Sequence, residues 1–410
     1  MKSILKLVAI ILLVLPTLVN AQDNQILQAQ IDVVYLSSDL LEGRATGSKG
    51  ETMARTYLAA RFGEIGLTPK GSNGTWFHDY SFKEKTNPHE AVGTGREVHT
   101  KNVVGYIDNQ AENTIIIGAH YDHLGFCGHG SLSVDSAIHN GADDNASGVA
   151  ALLNLAKRLK NSKPINHNNY LFIAFSGEEL GLFGSKSYVK HPTIDLSKVD
   201  YMINMDMVGR LNEESKLAVY GTGTSPVWHG ILDKIKVEGI GGIVTHDSGI
   251  GPSDHTSFYL ANMPVLHFFT GQHSDYHKPS DDSELINYPG IIAVTDYISE
   301  VIKAVDGKGK LTFTKTKEEG QKKAARFKVT LGVMPDYMYD GKGMRIDGVM
   351  DGKVADKAGF KKGDVVIQIA DVIVTDIYKY MEGLAKCKAG EKALVKVKRG
   401  DEVIEREVTF

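Results

Sequence analysis

Residues 113–123 read Asn-Thr-Ile-Ile-Ile-Gly-Ala-His-Tyr-Asp-His. A β-branched run breaks off into imidazoles and a carboxylate. The run is short, apolar and without alternation, which predicts a strand buried on both faces. The pattern recurs downstream. Tyr170-Leu-Phe-Ile-Ala-Phe175 ends in Ser176-Gly-Glu178-Glu179, and Val199-Asp-Tyr-Met-Ile-Asn204 ends in Met205-Asp206. Pro264-Val-Leu-His-Phe-Phe269 leads to a loop carrying Tyr276-His277. Between these runs lie helical patterns. Val149, Leu152, Leu153, Ala156 and Leu159 fall at helical spacing, and Glu179 to Val189 and Pro289 to Val305 are also read as helices. Strand and helix alternating in this way predict an α/β fold, a mainly parallel central sheet with helices on both faces. Sites in such sheets form at the carboxyl ends of the strands.

The rest of the composition is that of an ordinary globular chain. It has 410 residues, 42% of them apolar and 23% charged, enough for two or three domains and far from the composition of disorder. A net charge of −4 gives no support to nucleic-acid binding. Two cysteines, Cys127 and Cys387, are too few for a disulfide framework, and both are expected to be free thiols. Met1 to Ala21 reads as a signal peptide: Lys2 and Lys6, an apolar run from Leu7 to Leu15, then Val19-Asn20-Ala21 as a cleavage site. No later stretch reaches the ~20 apolar residues a transmembrane helix needs. An exported chain, periplasmic or secreted and without a stable membrane span after cleavage, is therefore expected. The charge is uneven: residues 22–320 hold 26 basic against 36 acidic side chains, and residues 321–410 hold 18 against 14. The change of sign falls beside a polar, aperiodic stretch. The expected division is a first domain at 22–306, a linker at 307–325 and a second domain at 326–410.

Five strand-end clusters carry metal-ligand residue types. They are His120-Tyr-Asp122-His123, Gly141-Ala-Asp143-Asp144-Asn-Ala-Ser-Gly148, Ser176-Gly-Glu178-Glu179, Met205-Asp206-Met-Val-Gly209 and Gly271-Gln-His273-Ser-Asp275-Tyr276-His277-Lys-Pro-Ser-Asp-Asp282. Each has an ordinary reading by itself: a helix cap, a dipole partner or a turn. Together they would crowd charge at one sheet edge, which cations must neutralise. Mixed histidine and carboxylate donors suit zinc, and also manganese or cobalt.

In order, these clusters resemble the co-catalytic zinc exopeptidases typified by bacterial leucyl aminopeptidases and aminopeptidases S and Y. The resemblance covers about Ile31 to Val305. It rests on His-x-Asp, Gly-Ala-Asp-Asp-Asn-x-Ser-Gly, Gly-Glu-Glu-x-Gly-Leu-x-Gly-Ser, Asn-x-Asp-Met-x-Gly and Tyr-His-x-Pro-x-Asp. It implies a three-layer fold and two zinc ions bridged by Asp144, with His120 and Asp206 on one ion and Glu179 and His277 on the other. Asp144 rather than Asp143 is taken as the bridge because it immediately precedes Asn-Ala-Ser-Gly. Glu178 would be the general base, taking a proton from the bridging water and returning it to the leaving amine. Asp122 would orient His120, Tyr276 would stabilise the carbonyl oxygen, and the Asp144–Asn145 peptide would be cis. Ser253-Asp254-His255 also matches a family segment and is read as structural or pocket-lining. His123, His129, His139, His246, His267 and His273 match no ligand role and are read as structural.

Arg326 to Phe410 resembles a PDZ domain, a small β-barrel-like module. Thr330-Leu-Gly332-Val333 stands where the carboxylate-binding loop would be. Val354-Ala355-Asp-Lys-Ala358-Gly359-Phe360-Lys-Lys-Gly363-Asp364-Val-Val-Ile matches the bacterial helix–turn–strand signature. Ala370-Asp371 departs from the usual Asn-Gly turn. The module implies capture of a C-terminal peptide by strand addition. The expectation is thus an exported metallo-aminopeptidase acting on peptide substrates. The same-fold alternatives are a carboxypeptidase, for which Arg210 is the nearest basic candidate, and a glutaminyl cyclase. A non-catalytic peptide-binding protein would require lost ligands, and none is missing.

Overall fold

The computed structural model of the chain describes residues 21–84, 95–126, 130–133, 136–161, 167–316, 329–336, 339, 341–350 and 352–410. All of the expected signal peptide but Ala21, Cys127, His129 and linker residues 317–325 lie outside the described residues.

The first domain begins with helices α1 (Ala21–Leu36) and α2 (Lys49–Ile65). Strands β1 (Phe77–Lys83), β2 (Glu97–Ile107) and β3 (Asn113–His120) follow, then α3 (Gly148–Asn161) and β4 (Asn168–Phe175). Next come α4 (Phe183–Lys190), β5 (Val199–Met205), β6 (Lys216–Tyr220), β7 (Gly242–His246), β8 (Val265–Phe269) and α5 (Tyr288–Val305). The strands join, with a short strand at Thr68–Pro69, in one nine-stranded sheet. From that edge the order is Thr68–Pro69, β2, β4, β3, β5, β8, β6, β7, with β1 also on β2.

The middle of the sheet, β4-β3-β5-β8, is parallel. On one flank β1 and β2 run antiparallel, and on the other β6 is antiparallel to β8 and parallel to β7. The expected parallel sheet is therefore the centre of a mixed one. Every residue of β4 and β5 is buried, as strands covered on both faces must be. Helices α1, α3 and α5 cover one face around Leu152, Ile203, Ile291 and Ile298. On the other face α4 packs with Phe258 and Tyr259 over Ile116, Ile173 and Met202. The expected helix at Glu179–Val189 starts later, at Phe183. Gly177, Gly181 and Leu182, at φ 68°, 116° and 61°, hold residues 177–182 in turns.

Residues 310–316 continue along this domain: the Leu311 amide donates to Asp200 at 2.6 Å, and the Tyr259 and Thr316 hydroxyls meet at 2.9 Å. The second domain is a six-stranded antiparallel sheet. Its members include β9 (Val333–Pro335), β10 (Met344–Val349), β11 (Val365–Ile369), β12 (Lys392–Arg399) and β13 (Glu402–Thr409). Helix α6 (Ile377–Lys386) packs Leu384 onto a separate apolar core of Leu331, Ile346, Val366, Val395 and Val397. Gly332, at φ 76°, makes the turn that enters β9. Cys387 is buried and free. Among the described residues, no helix is long and apolar enough to cross a membrane.

Candidate metal centre

Three of the four central parallel strands deliver a donor at the carboxyl end. His120 closes β3, Glu178 and Glu179 follow β4, and Asp206 follows β5. Asp144 lies in the tight turn before α3, where the Asp144–Asn145 peptide is cis. The Asn145 side chain ties that turn down by accepting from the Gly148 and Met207 amides at 2.9 and 3.1 Å and donating to the Met205 carbonyl. Asp281 holds it from the other side, accepting from the Asp143 and Asp144 amides at 2.9 and 3.0 Å.

Asp144 stands between two histidines. Its Oδ1 is 3.3 Å from His120 Nε2, and its Oδ2 is 3.1 Å from His277 Nε2. His120 Nε2 is also 3.3 Å from Asp206 Oδ1, and His277 Nε2 is 3.3 Å from Glu179 Oε2. Asp143 faces away, with its carboxylate on the Ser147 hydroxyl, the Gly209 amide and His273. The five residues taken as ligands on sequence grounds are thus brought together around Asp144.

The supporting contacts are specific. His120 Nδ1 donates to the Asp122 carbonyl oxygen at 3.2 Å, which leaves Nε2 facing the carboxylates. The Asp122 carboxylate lies 3.7 Å from that nitrogen and accepts instead from Thr46 and from the Glu178 amide, at 2.8 and 3.2 Å. Asp122 therefore fixes His120 through its backbone and Glu178 through its side chain. Ser253 donates to Asp206 Oδ2 at 2.7 Å, so the Ser253-Asp254-His255 segment backs a donor. The Tyr276 ring stacks on His277 with centroids 3.8 Å apart. His267 and His255 stack together in the interior, where burial holds both imidazoles below their usual range.

Two residues outside the expected set belong to this region. His123, set aside on sequence, has its Nδ1 2.7 Å from Glu179 Oε1. Arg44, in the turn at Asp39–Arg44, is buried and donates to the backbone carbonyls of Leu36, Tyr121, Asn140 and Gly141. It thereby holds the loops on either side of the site. Burial lowers its guanidinium to about 10, against the pull of Asp122, Asp144, Asp281 and Glu179.

The electrostatics separate the adjacent glutamates. Burial and Asp144 push Glu179 up, but His277 and His123 outweigh them and draw it down to about 2. Burial drives Glu178 well above the carboxylate range; His120 opposes this and Asp206 and Glu179 reinforce it. Burial works against a charged His277, yet Glu179 and Asp144 push it up to about 11. The two adjacent glutamates are thus pushed in opposite directions.

Ligand atoms on a tetrahedral zinc with bonds of 2.0–2.2 Å lie ~3.3 Å apart. The 3.1–3.3 Å spacings around Asp144 match that. Two donor groups share Asp144: His120/Asp144/Asp206, and Asp144/Glu179 with His277 and His123 on either side of Glu179. The residues present fit a pair of metal ions.

Fold and site together define an α/β protein with a metal-ligand cluster at the carboxyl ends of its parallel strands and an appended β module. Residues 102–302 match peptidase family M28, and residues 312–410 match the PDZ domain. The chain thus carries a stretch similar to peptidase family M28 followed by one similar to the PDZ domain. It is 30% identical over 198 residues to aminopeptidase YwaD of Bacillus subtilis (strain 168), covering 46% of this chain and 40% of that protein. It is also 30% identical over 192 residues to leucine aminopeptidase 2 of Arthroderma otae, covering 44% of this chain and 38% of the relative. The match spans about two fifths of the length of these relatives. Among solved structures, the zinc aminopeptidase BSAP from Bacillus subtilis superposes with a TM-score of 0.52 at 19% identity, covering 70% of this chain and 98% of that one. Porphyromonas gingivalis glutaminyl cyclase superposes with a TM-score of 0.53 at 18% identity and the same coverage. At these identities the superpositions speak for the fold.

Proposed function

We propose that this protein is an exported metallo-aminopeptidase that removes N-terminal residues from peptides with the help of two zinc ions. The observation that carries this reading is the position of Asp144, whose two oxygens face different histidines at 3.3 and 3.1 Å. A carboxylate so placed suits a bridge between two ions. His120, Asp144 and Asp206 would hold one, and Asp144, Glu179 and His277 the other; manganese or cobalt would also suit these donors. When bound, such ions lower the pKa of water and polarise a carbonyl.

The remaining work falls to the chain. Glu178 belongs to neither donor group. Its backbone is pinned by Asp122. Cations held by the neighbouring donors would favour its ionised form over the protonated form that burial favours, so that Glu178 would take the proton from the attacking water and return it to the leaving amine. Tyr276, stacked on His277, would hydrogen-bond the substrate carbonyl oxygen. The aminopeptidases among the relatives support this choice of leaving group. A carboxypeptidase would want a free cation for the substrate carboxylate, and Arg210 is engaged by Asp275 at 2.6 Å and by the Leu285 carbonyl at 3.1 Å. The second domain would capture C-terminal peptides by strand addition, and the apolar Leu7–Leu15 run is the reason to place the protein outside the cytoplasm.

A glutaminyl cyclase reading shares the fold. Metal analysis combined with a panel of aminoacyl and carboxy-terminal chromogenic substrates separates the readings. Two zinc equivalents and chelator-sensitive aminoacyl release are expected. One equivalent with no release would favour the cyclase.

A further inference from the structure

His123 lies three residues beyond His120, at the edge of the second donor group. Its side chain is fully buried. Its amide donates to the Arg44 carbonyl at 3.2 Å, and the residue pairs with Ala45 in a parallel bridge. Gly141 walls the ring: a Cβ there would come within 2.5 Å of Cδ2. The imidazole is thus fixed before any ion binds. Its Nδ1 is 2.7 Å from Glu179 Oε1, and among the described residues Nε2 has no partner.

An ionised carboxylate only accepts hydrogen bonds, so Nδ1 carries the hydrogen in this contact. The distances also separate a hydrogen bond from direct ligation. His120 and His277 stand 3.1–3.3 Å from their carboxylate neighbours, the spacing of ligands around one ion. His123 is too close to Glu179 for that, at 2.7 Å, and too far from Asp144, at 4.0 Å.

We propose that His123 is a positioning residue of the second ion's site: it occupies Glu179 Oε1, so that Oε2 alone is presented beside His277 Nε2. The inference rests on the two-ion reading above and deepens it. It makes the two sites unequal, because the carboxylate of only one of them is steered by an imidazole. Asp206, in the other, is steered by the Ser253 hydroxyl.

The test compares the full chain with His123→Ala and His123→Asn. Asparagine can place an N–H close to the position of Nδ1. Zinc affinity is measured by chelator competition and metal content, and cobalt substitution is followed by visible absorption; neither readout depends on turnover. In His123→Ala the first equivalent should bind as in the wild type and the second about 10- to 100-fold more weakly, the usual cost of losing a partner that orients a ligand. His123→Asn should recover most of that loss. The proposal is overturned if His123→Ala binds both equivalents normally, or weakens both equally. It is also overturned if His123→Asn falls as far as His123→Ala, which would put the imidazole on the ion itself. A wild type holding a single ion would overturn the two-ion reading and this inference together. Melting curves of all three proteins identify a folding defect in His123→Ala, in which case His123→Asn alone decides: a normal second equivalent supports the proposal and a weakened one overturns it.

Discussion

Among the described residues, the two domains handle charge in opposite ways. The first buries Arg44, Glu51, Asp122, Asp144, Asp200 and Asp254, among others, whereas in the second Asp364 is the one buried charged residue. The second domain keeps ion pairs such as Lys392–Glu407 and Lys379–Glu382 at the surface, where water and salt screen them. An unpaired buried ion costs several kcal/mol. For Asp122 and Asp144 the proposed two-ion site supplies a reason: carboxylates gathered where cations would neutralise them, with Arg44 and Asp281 keeping the loops in place. Strand addition needs backbone groups and apolar pockets, so a peptide-capturing module can be built without buried charge.

The sharpest way to break this contrast is at Glu178. Glu178→Gln preserves volume and removes the base. Turnover on an aminoacyl chromogenic substrate should fall by about 10²- to 10⁴-fold, while zinc content per chain matches the wild type. Unchanged kcat would leave the half-buried glutamate without a catalytic reason. Loss of zinc would instead make it a ligand.

Asp200 tests the cost of burial away from the site. Burial pushes its carboxyl from 3.8 up to about 6, with the Leu311 amide and Lys310 opposing. A carboxyl raised by folding stabilises the fold only while protonated. Its contribution is complete below about 3.8 and is lost as the pH rises through about 6. Asparagine keeps an acceptor for the Leu311 amide and discards the charge. Asp200→Asn should therefore raise stability by about 1–2 kcal/mol at pH 8, after allowing for screening by Lys310, and change little at pH 4. Urea unfolding at both pH values checks this. An equal effect at both would mean that the buried charge is not what costs.

The same difference explains what was legible beforehand. Central strands β3, β4 and β5 announce themselves as unbroken apolar runs, because parallel strands are covered on both faces. β1 exposes about every second residue and carries no such run, so the antiparallel flank stayed hidden. The residues gathered around Asp144 were readable because their side chains do the work and their types are distinctive. Arg44 was not, since it acts on backbone carbonyls that any residue offers. His123 was visible as a second imidazole beside Asp122. Its meaning depends on the Arg44 loop and on Gly141, which bring it to Glu179 from far along the chain. The late start of α4 was hidden for a similar reason, because positive φ at Leu182 cannot be read from a leucine.

The smallest expected effect lies in the second domain, where backbone fit rather than charge sets stability. Ala370 and Asp371 link β11 to a short strand at Val372–Ile373, with Gln368 opposite Ile373 and Ile369 opposite Val372. Ala370 sits at φ 51°, a conformation that costs a residue with a Cβ roughly 1–2 kcal/mol. Asparagine enters this region more readily because its short side chain hydrogen-bonds locally. Against that stands the polar carboxamide that asparagine adds beside the apolar core against which Ala370 packs. Ala370→Asn should therefore stabilise the module by up to about 1 kcal/mol, with the zinc content and turnover of the first domain untouched. A destabilised module would show that the cost of a polar group beside the core outweighs the relief of the strained turn. A shift in turnover would show that the buried-charge domain and the backbone-fitted domain are not energetically separate.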